Sequence, residues 1–343
     1  MTVTADTPTI TEQAAALLPH AAGYVGTRSV TIGLRQGIIT LLAEHPEGLT
    51  ADEIGTELGL DTFYVGVWAR SARAAGYCER GEGDRVRLSP HMDTLLLDTS
   101  SPAYLGGAFT TLEQYEIFGR FEDHLADGAR LWWDDCRPEF KESVSGTGTP
   151  FYLRLIPNAL SQVPGLDGTL ARPCRVLDTA CGAGFGVVRL AQSYPAITVV
   201  GADGDAHSLA LAQQRVADAG LSDRVELIHA PLEKLHLDGG FALVTNNISM
   251  HECRDADAVT ANVHRALDTG GWFVISDFPF PETDEGLATV PGRIMSGIQF
   301  FEAQIDDQLL PRSRYDQLLK RHGFADLGSI ELTPIQAVTY ARK

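Results

Sequence analysis

The sequence predicts an α/β protein, a doubly wound, mostly parallel sheet that follows a mainly α-helical N-terminal domain. Three observations predict it. From residue 175 onward, short apolar runs alternate with amphipathic segments of helical period, a grammar that specifies parallel strands with helices on both faces. A Gly-rich turn, VLDTACGAGFG at 176–186, joins the first such strand to the first such helix. Ahead of it, the chain reads as helices and one strand pair, with no alternation.

The elements follow in order. Residues 1 to about 20 form a loose start leading into a helix. Residues 32–43 (IGLRQGIITLLA) carry apolar side chains at helical spacing. Thr50-Ala51-Asp52-Glu53 is a capping box that opens a helix through Leu58, and Asp61 caps a third helix running to about Ala75. Residues 77–88 read as two short strands around Gly81-Glu82-Gly83-Asp84, so this part has the order of a winged helix. Residues 102–165 are mainly helical and rich in aromatics, with a small-residue loop at 143–150 (SVSGTGTP) and a linker at 164–173. Strands are expected at 175–178, 198–203, 225–230, 241–246 and 271–277, and helices at 184–193, 208–219 and within 255–267. A helix at 312–322 and an antiparallel pair at 324–332 and 337–341 close the chain. The expected domains are 1–100, a helical connecting and substrate-pocket segment 101–170, and 171–343.

Composition narrows the function. With 44% hydrophobic and 21% charged residues, the 343-residue chain can bury a sizeable core. A net charge of -18 disfavours nucleic acid as a partner. No apolar run approaches the ~20 residues of a membrane span, and the polar start is no signal peptide, so no membrane partner is expected. Cys78, Cys136, Cys174, Cys181 and Cys253 are scattered and contain no CxxC, which points to reduced thiols in a cytoplasm.

The chemical signal lies in the turn and the two strands after it. Asp178 ends the first strand, and small residues behind it let a ligand approach the backbone. Asp203 ends the second strand, where a carboxylate accepts hydrogen bonds from ribose hydroxyls. Residues 229–235 (HAPLEKL) follow the third, where an adenine would sit. A nicotinamide dinucleotide wants GxGxxG with its pyrophosphate over the helix N-terminus. An acid leading the turn repels a pyrophosphate and suits the ammonium group of a methionine moiety, which favours S-adenosyl-L-methionine.

On these motifs residues 175–341 resemble a class I S-adenosylmethionine-dependent methyltransferase, whose DxGxGxG motif appears here with Ala180 at the first glycine. With the N-terminal segment included, nearly the whole chain is similar to small-molecule O-methyltransferases of the caffeate and hydroxyneurosporene type. The resemblance implies a seven-stranded Rossmann-like sheet, a winged-helix domain used for homodimerisation, and transfer of a methyl group to a hydroxyl of a small, aromatic or polyketide-like molecule, as in secondary metabolism. It places Asp178, Ala180, Gly182 and Gly184 around the methionine end and Asp203 and Gly204 at the ribose. Ala230, Pro231 and Leu232 would flank the adenine, and Asn246 and Asn247 would close the pocket. Where the family has Gly-Asp-Phe this chain has Ala230-Pro231-Leu232, so packing and backbone groups would hold the adenine.

The stretch NNISMHECRD, 246–255, lays His251 on the family's histidine and Glu252 on its acid. Histidine titrates near neutral pH and can take a proton from an acceptor hydroxyl, so His251 is expected as the general base and Glu252 as its orienting partner. The family's second acid has no counterpart in residues 308–315, although Asp306 and Asp307 lie close by. Trp132, Trp133, Phe278, Met295, Gln299 and Phe300, with Phe109, are expected to line an apolar substrate pocket. No acid cluster is apparent, so no metal is expected. Other readings are N-, C- or S-methylation, a non-methylating reaction on the same fold, and a ligand-sensing transcription regulator. The third helix argues against the regulator, since it offers only Arg70 and Arg73 amid Phe63, Tyr64, Val65, Val67 and Trp68.

Overall fold

The computed structural model describes residues 7–343. The first six residues of the expected loose start therefore lie outside the described residues. Two compact units emerge, 1–113 and 114–343, so the stretch 101–170 is shared between them.

The first unit opens with α1 (Ile10–Arg35), capped by a Thr9–Glu12 capping box. The single helix expected at 32–43 is two, because Gly37 adopts φ +74°, a left-handed conformation that ends α1 and starts α2 (Ile38–Glu44). In α3 (Ala51–Leu58) Thr50 and Glu53 form the expected capping box, and in α4 (Thr62–Ala74) the Asp61 side chain accepts from the Tyr64 amide. Strands β1 (Cys78–Arg80) and β2 (Val86–Leu88) pair antiparallel. Ile39, Ile54 and Ala72 are fully buried in this unit's core, and α5 (Met92–Leu96) and α6 (Gly106–Leu112) complete it. Phe109 of α6 packs on that core, which takes it out of the expected substrate pocket.

The second unit begins with α7 (Gly119–Asp123) and α8 (Pro138–Arg154). The small residues 143–150 are helix, not loop. Thr147 and Thr149 hydroxyls bond back to the carbonyls of Ser143 and Ser145, and Phe140 and Phe151 bury the helix's apolar side. The expected linker holds α9 (Leu166–Leu170), anchored by fully buried Leu166 and Leu170.

Then the alternation sets in: β3 (Arg175–Thr179), α10 (Phe185–Ser193), β4 (Thr198–Asp203), α11 (Ala206–Asp218), β5 (Val225–His229), β6 (Phe241–Asn247), α12 (Ala256–Ala266) and β7 (Leu267–Asp277). After α13 (Asp284–Ala288), α14 (Val290–Glu302) and α15 (Arg312–Arg321), β8 (Ala325–Thr333) and β9 (Gln336–Arg342) finish the sheet. The seven strands lie in the order β5-β4-β3-β6-β7-β9-β8, parallel except for β9, which runs antiparallel to both its neighbours. Strand residues alternate between two apolar cores, Val176 and Leu243 on one face, Leu177 and Val244 on the other. Both faces are thus covered, which explains the near-continuous apolar runs. Strand order reverses between β3 and β6, and ligands bind at the carboxyl ends of strands at such a switch point.

Candidate active site

At the switch point, a pocket of about 170 Å³ opens over the turn after β3. Ala180, Cys181, Gly182 and Ala183 form one wall, Asp203 and Ser208 a second, and Asn247, Ile248, Ser249 and Glu252 a third. Helix α8 supplies a fourth with Lys141, Ser145, Gly148 and Tyr152. Three positions in the turn are left-handed, Ala180 at φ +55°, Gly182 at φ +51° and Gly184 at φ +80°. A side chain at Gly184 would lie 2.8 Å from the Ala212 backbone, so α10 and α11 pack closely only with glycine there.

The Asp203 carboxylate accepts the Gly182 and Asp205 amides, each at 2.8 Å. Burial raises its pKa, and those amides partly offset the rise. Each oxygen keeps a lone pair for a ligand hydroxyl. Asp178, expected at the methionine end, faces inward instead. It takes hydrogen bonds from Thr245 (2.6 Å) and Tyr152 (3.4 Å), and burial pushes its pKa up to about 7. It ties the end of β3 to β6 and to α8. Gly204 lies against Ala230 and Pro231 beside Asp203, whereas Leu232 packs towards α12, next to Val259 and Val263. None of these three residues after β5 lines the pocket, nor do Gly184 and Asn246.

S-Adenosylmethionine fits these residues. Gly182 leaves open space where a side chain would stand, and Asp203 offers an acceptor. Asn247 is 2% exposed, yet neither polar atom of its side chain has a partner, and Asn246 Oδ1 is also unpaired. Buried polar groups are costly to leave unsatisfied, and a ligand in the pocket would satisfy those of Asn247.

His251 follows β6 and is 4% exposed. Its Nδ1 lies 2.9 Å from both oxygens of Asp277, the last residue of β7. Tyr315 and the Phe278 amide also donate to Asp277, at 2.7 and 2.8 Å. From the end of α14, Glu302 places Oε1 3.8 Å from His251 Nε2, too far for a hydrogen bond, and its Oε2 has no partner. Burial lowers the His251 pKa, but the charges of Asp277 and Glu302 outweigh it and raise the pKa well above the ordinary histidine value. Glu252 is not the orienting partner expected from its adjacency. It lies on the pocket wall, where burial and the charge of Glu302 push its pKa up to about 8.

The expectation that acids do not cluster is also corrected, since ligand atoms of His251, Glu252 and Glu302 lie within 4.8 Å of one another, a group that could hold a metal ion. Asp307 adjoins the group, its pKa raised to about 6 by burial and by Glu302, while Asp306 is taken by Arg130 on the surface. Sequence reasoning missed Asp277 and Glu302. For Asp277 the available signal was an acid ending an apolar strand, as at Asp178 and Asp203. For Glu302 it was the i, i+4, i+7 spacing of Met295, Gln299 and Glu302.

The aromatic set is only partly gathered. Trp133 borders the pocket and packs on Phe140 and Phe301. Phe278 lies between Phe151 and His251. Trp132 sits under the Arg254 guanidinium and Met295 is buried. Gln299 is committed to the Leu309 amide, and Phe300 packs outside with Phe118 and Phe121, so neither lines the pocket. Lys141 was not foreseen. It forms a buried ion pair with Asp205 at 2.8 Å, while Asp205 caps α11 through Ser208.

This sheet order and the glycine turn over an acid-ended second strand define the fold of the class I S-adenosylmethionine-dependent methyltransferases. Residues 176–271 match the family model described as a methyltransferase domain, so the chain carries such a domain, and S-adenosyl-L-methionine is its cofactor. The chain is 33% identical over 109 residues to the ubiquinone/menaquinone biosynthesis C-methyltransferase UbiE of a Geobacter species. That match covers 31% of this chain and 46% of the relative, so the chain spans less than half of that relative's length. Among solved structures, the mitomycin 7-O-methyltransferase MmcR superposes with a TM-score of 0.75 at 14% identity, covering 98% of this chain and 100% of that one. Human N-acetylserotonin methyltransferase superposes with a TM-score of 0.69 at 16% identity, covering 98% and 99%. Similarity at these identities concerns the fold. Among the described residues, no helix is long and apolar enough to cross a membrane.

Proposed function

We propose that the protein methylates a hydroxyl of a small, aromatic or polyketide-like molecule, with His251 as the general base. The observation that carries this reading is the fixed imidazole. Asp277 holds Nδ1–H, which leaves Nε2 as the nitrogen that can receive a proton. When bound, S-adenosylmethionine supplies an electrophilic methyl group. The chain's residues then orient the acceptor oxygen, take its proton at His251 Nε2 and stabilise the resulting imidazolium with Asp277 and Glu302. The same two carboxylates make His251 a stronger base than a free imidazole, which narrows its gap to a phenol of pKa ~10. The names of two structural neighbours, a 7-O-methyltransferase and an N-acetylserotonin methyltransferase, are in keeping with a small-molecule acceptor.

One observation favours a second reading. Glu252, not His251, borders the pocket, so Glu252 would meet the acceptor and His251 would tune it. The protein is further proposed to be a homodimer through its first unit. Leu17 (71%) on α1 and Phe63 (71%) and Tyr64 (74%) on α4 are large apolar side chains left in solvent. Incubating the protein with methyl-labelled cofactor and a library of phenols, matched anilines and thiols tests the proposal. Label on the phenols alone supports it, label on nitrogen, sulfur or carbon rejects the hydroxyl, and no label rejects the reading.

A further inference from the structure

The first unit holds a cavity of opposite character to the rest of this acidic protein. A cleft of about 250 Å³ lies between α3, α4 and the β1–β2 hairpin, and four arginines line it: Arg70 and Arg73 from α4, Arg80 and Arg85 from the hairpin. The hairpin pair is partly neutralised. Arg80 bonds Asp84 (3.0 Å) and the Gly83 carbonyl, and Arg85 bonds Glu53 (2.8 Å) and the Gly48 carbonyl. Arg70 and Arg73 form no hydrogen bond or ion pair with any described residue. Ala51, Gly66 and Ala69 make the floor, and Gly66 has nothing nearer than 4.0 Å to the place of a side chain.

We infer that this cleft binds a small phosphate-bearing dianion. Two unpaired guanidinium charges match one dianion, and their planar forks suit paired oxygens. The small floor lets an anion settle between the forks. A volume below the ~300–1,000 Å³ of drug-sized sites suits a phosphate or pyrophosphate group. Charge also separates this ligand from a nucleic acid. At physiological salt, fields fade over ~8 Å, so an anion inside the cleft responds to the arginines beside it. A duplex would extend over a surface whose total charge is -18. Arg73 lies on the flank of α4 away from Tyr64, whereas Arg70 follows Phe63 and Val67 along one side of the helix, so the cleft adjoins the apolar face.

Calorimetric titration of the full-length protein with sodium pyrophosphate, in buffer of about 50 mM ionic strength, tests the inference. Inorganic phosphate, sodium chloride at matched ionic strength and a short DNA duplex are run in parallel. The expected result is saturable 1:1 binding of pyrophosphate, tighter than phosphate, with none for chloride. Arg70→Ala/Arg73→Ala should weaken it at least about tenfold, and Arg70→Lys/Arg73→Lys by less, because charge survives without the fork. Both side chains are exposed, and an unchanged circular dichroism spectrum and thermal melt would show that the variants are folded. The inference is overturned by absence of saturable pyrophosphate binding, by equal binding in the alanine variant, or by duplex DNA binding more tightly through the same arginines.

Discussion

Both carboxylate oxygens of Asp277, the last residue of β7, lie 2.9 Å from Nδ1 of His251, which stands in the turn beyond β6. The pairing is a product of sheet register: Asn247 of β6 stands opposite Ser276 of β7, which brings the residue after Ser276 beside the turn after Asn247. With Glu302 on its other side, the charges of both carboxylates outweigh burial and hold the His251 pKa well above the ordinary histidine value. If it is the base, turnover must rise with pH beyond the ordinary histidine range. Glu302→Gln removes a charge that raises the pKa, so the rising limb should move to lower pH. His251→Ala should lower turnover by ~10²–10⁴-fold and leave S-adenosylhomocysteine affinity nearly unchanged. Rates across pH 6–10 on one weakly acidic phenol decide it, and an unmoved limb in Glu302→Gln would remove His251 from the role of base.

The three-residue group His251, Glu252 and Glu302 also permits a metal, so chelation is a separate test. Under the base reading, His251 itself faces these carboxylates and no metal is needed between them. Activity measured after EDTA dialysis should equal that before it. A loss restored by a divalent cation would assign the group to metal binding.

Asp178 should make the fold pH-sensitive. Its pKa is about 7 in the folded chain, against ~3.9 for a free aspartate. Between those values the folded chain binds the extra proton, so its contribution is fully present below pH ~4 and is lost as pH rises through 7. Asp178→Asn carries no such ionisation. Thermal melts should show the variant gaining Tm relative to wild type at pH 8 compared with pH 5, and a constant difference would contradict the burial argument.

Ala180 occupies a left-handed conformation at φ +55°, where a Cβ costs roughly 1–2 kcal/mol. Ala180→Gly relieves that strain but gives the unfolded chain more freedom, for a net gain of about 0.5–1 kcal/mol. Urea unfolding measures it, with a destabilised variant as the contrary result.

For the homodimer, light scattering at micromolar concentration should give twice the 37.0 kDa chain mass. Leu17→Glu with Tyr64→Glu should return it to the monomer. A wild-type monomer would leave the apolar face of α1 and α4 without an occupant.

The sheet was legible because β3, β6 and β7 bury most of their residues and because Asp205 and Asp255 cap α11 and α12, which are local signals. Of the residues expected around the cofactor, Ala180, Gly182 and Asp203 line one pocket because they meet at neighbouring strand ends. His251 was found, but not its partners. Adjacency suggested Glu252, whereas side chains of neighbouring residues at a strand end diverge and partners come from the next strand and a later helix. Helix α8 was misread because serine, threonine and glycine are poor helix formers, and its burial against the second unit's core overrode that preference. The break at Gly37 was missed because apolar spacing continues across it.

Helix α8 also has a bearing on how this protein could diversify. Lys141, Ser145, Gly148 and Tyr152 recur at the spacing of one helical face, and the two outer members are tied down, Lys141 by Asp205 and Tyr152 by Asp178. Replacing Lys141 would remove the counter-charge of buried Asp205, and replacing Tyr152 would leave Asp178 with Thr245 as its remaining side-chain donor. Between them the face is nearly bare, and a methyl group at 148 would already come within 3.1 Å of Ile248. Under the proposed function, the interval between the anchors would gauge acceptor size, adjustable by single substitutions while both ends of the helix stay tied to neighbouring elements.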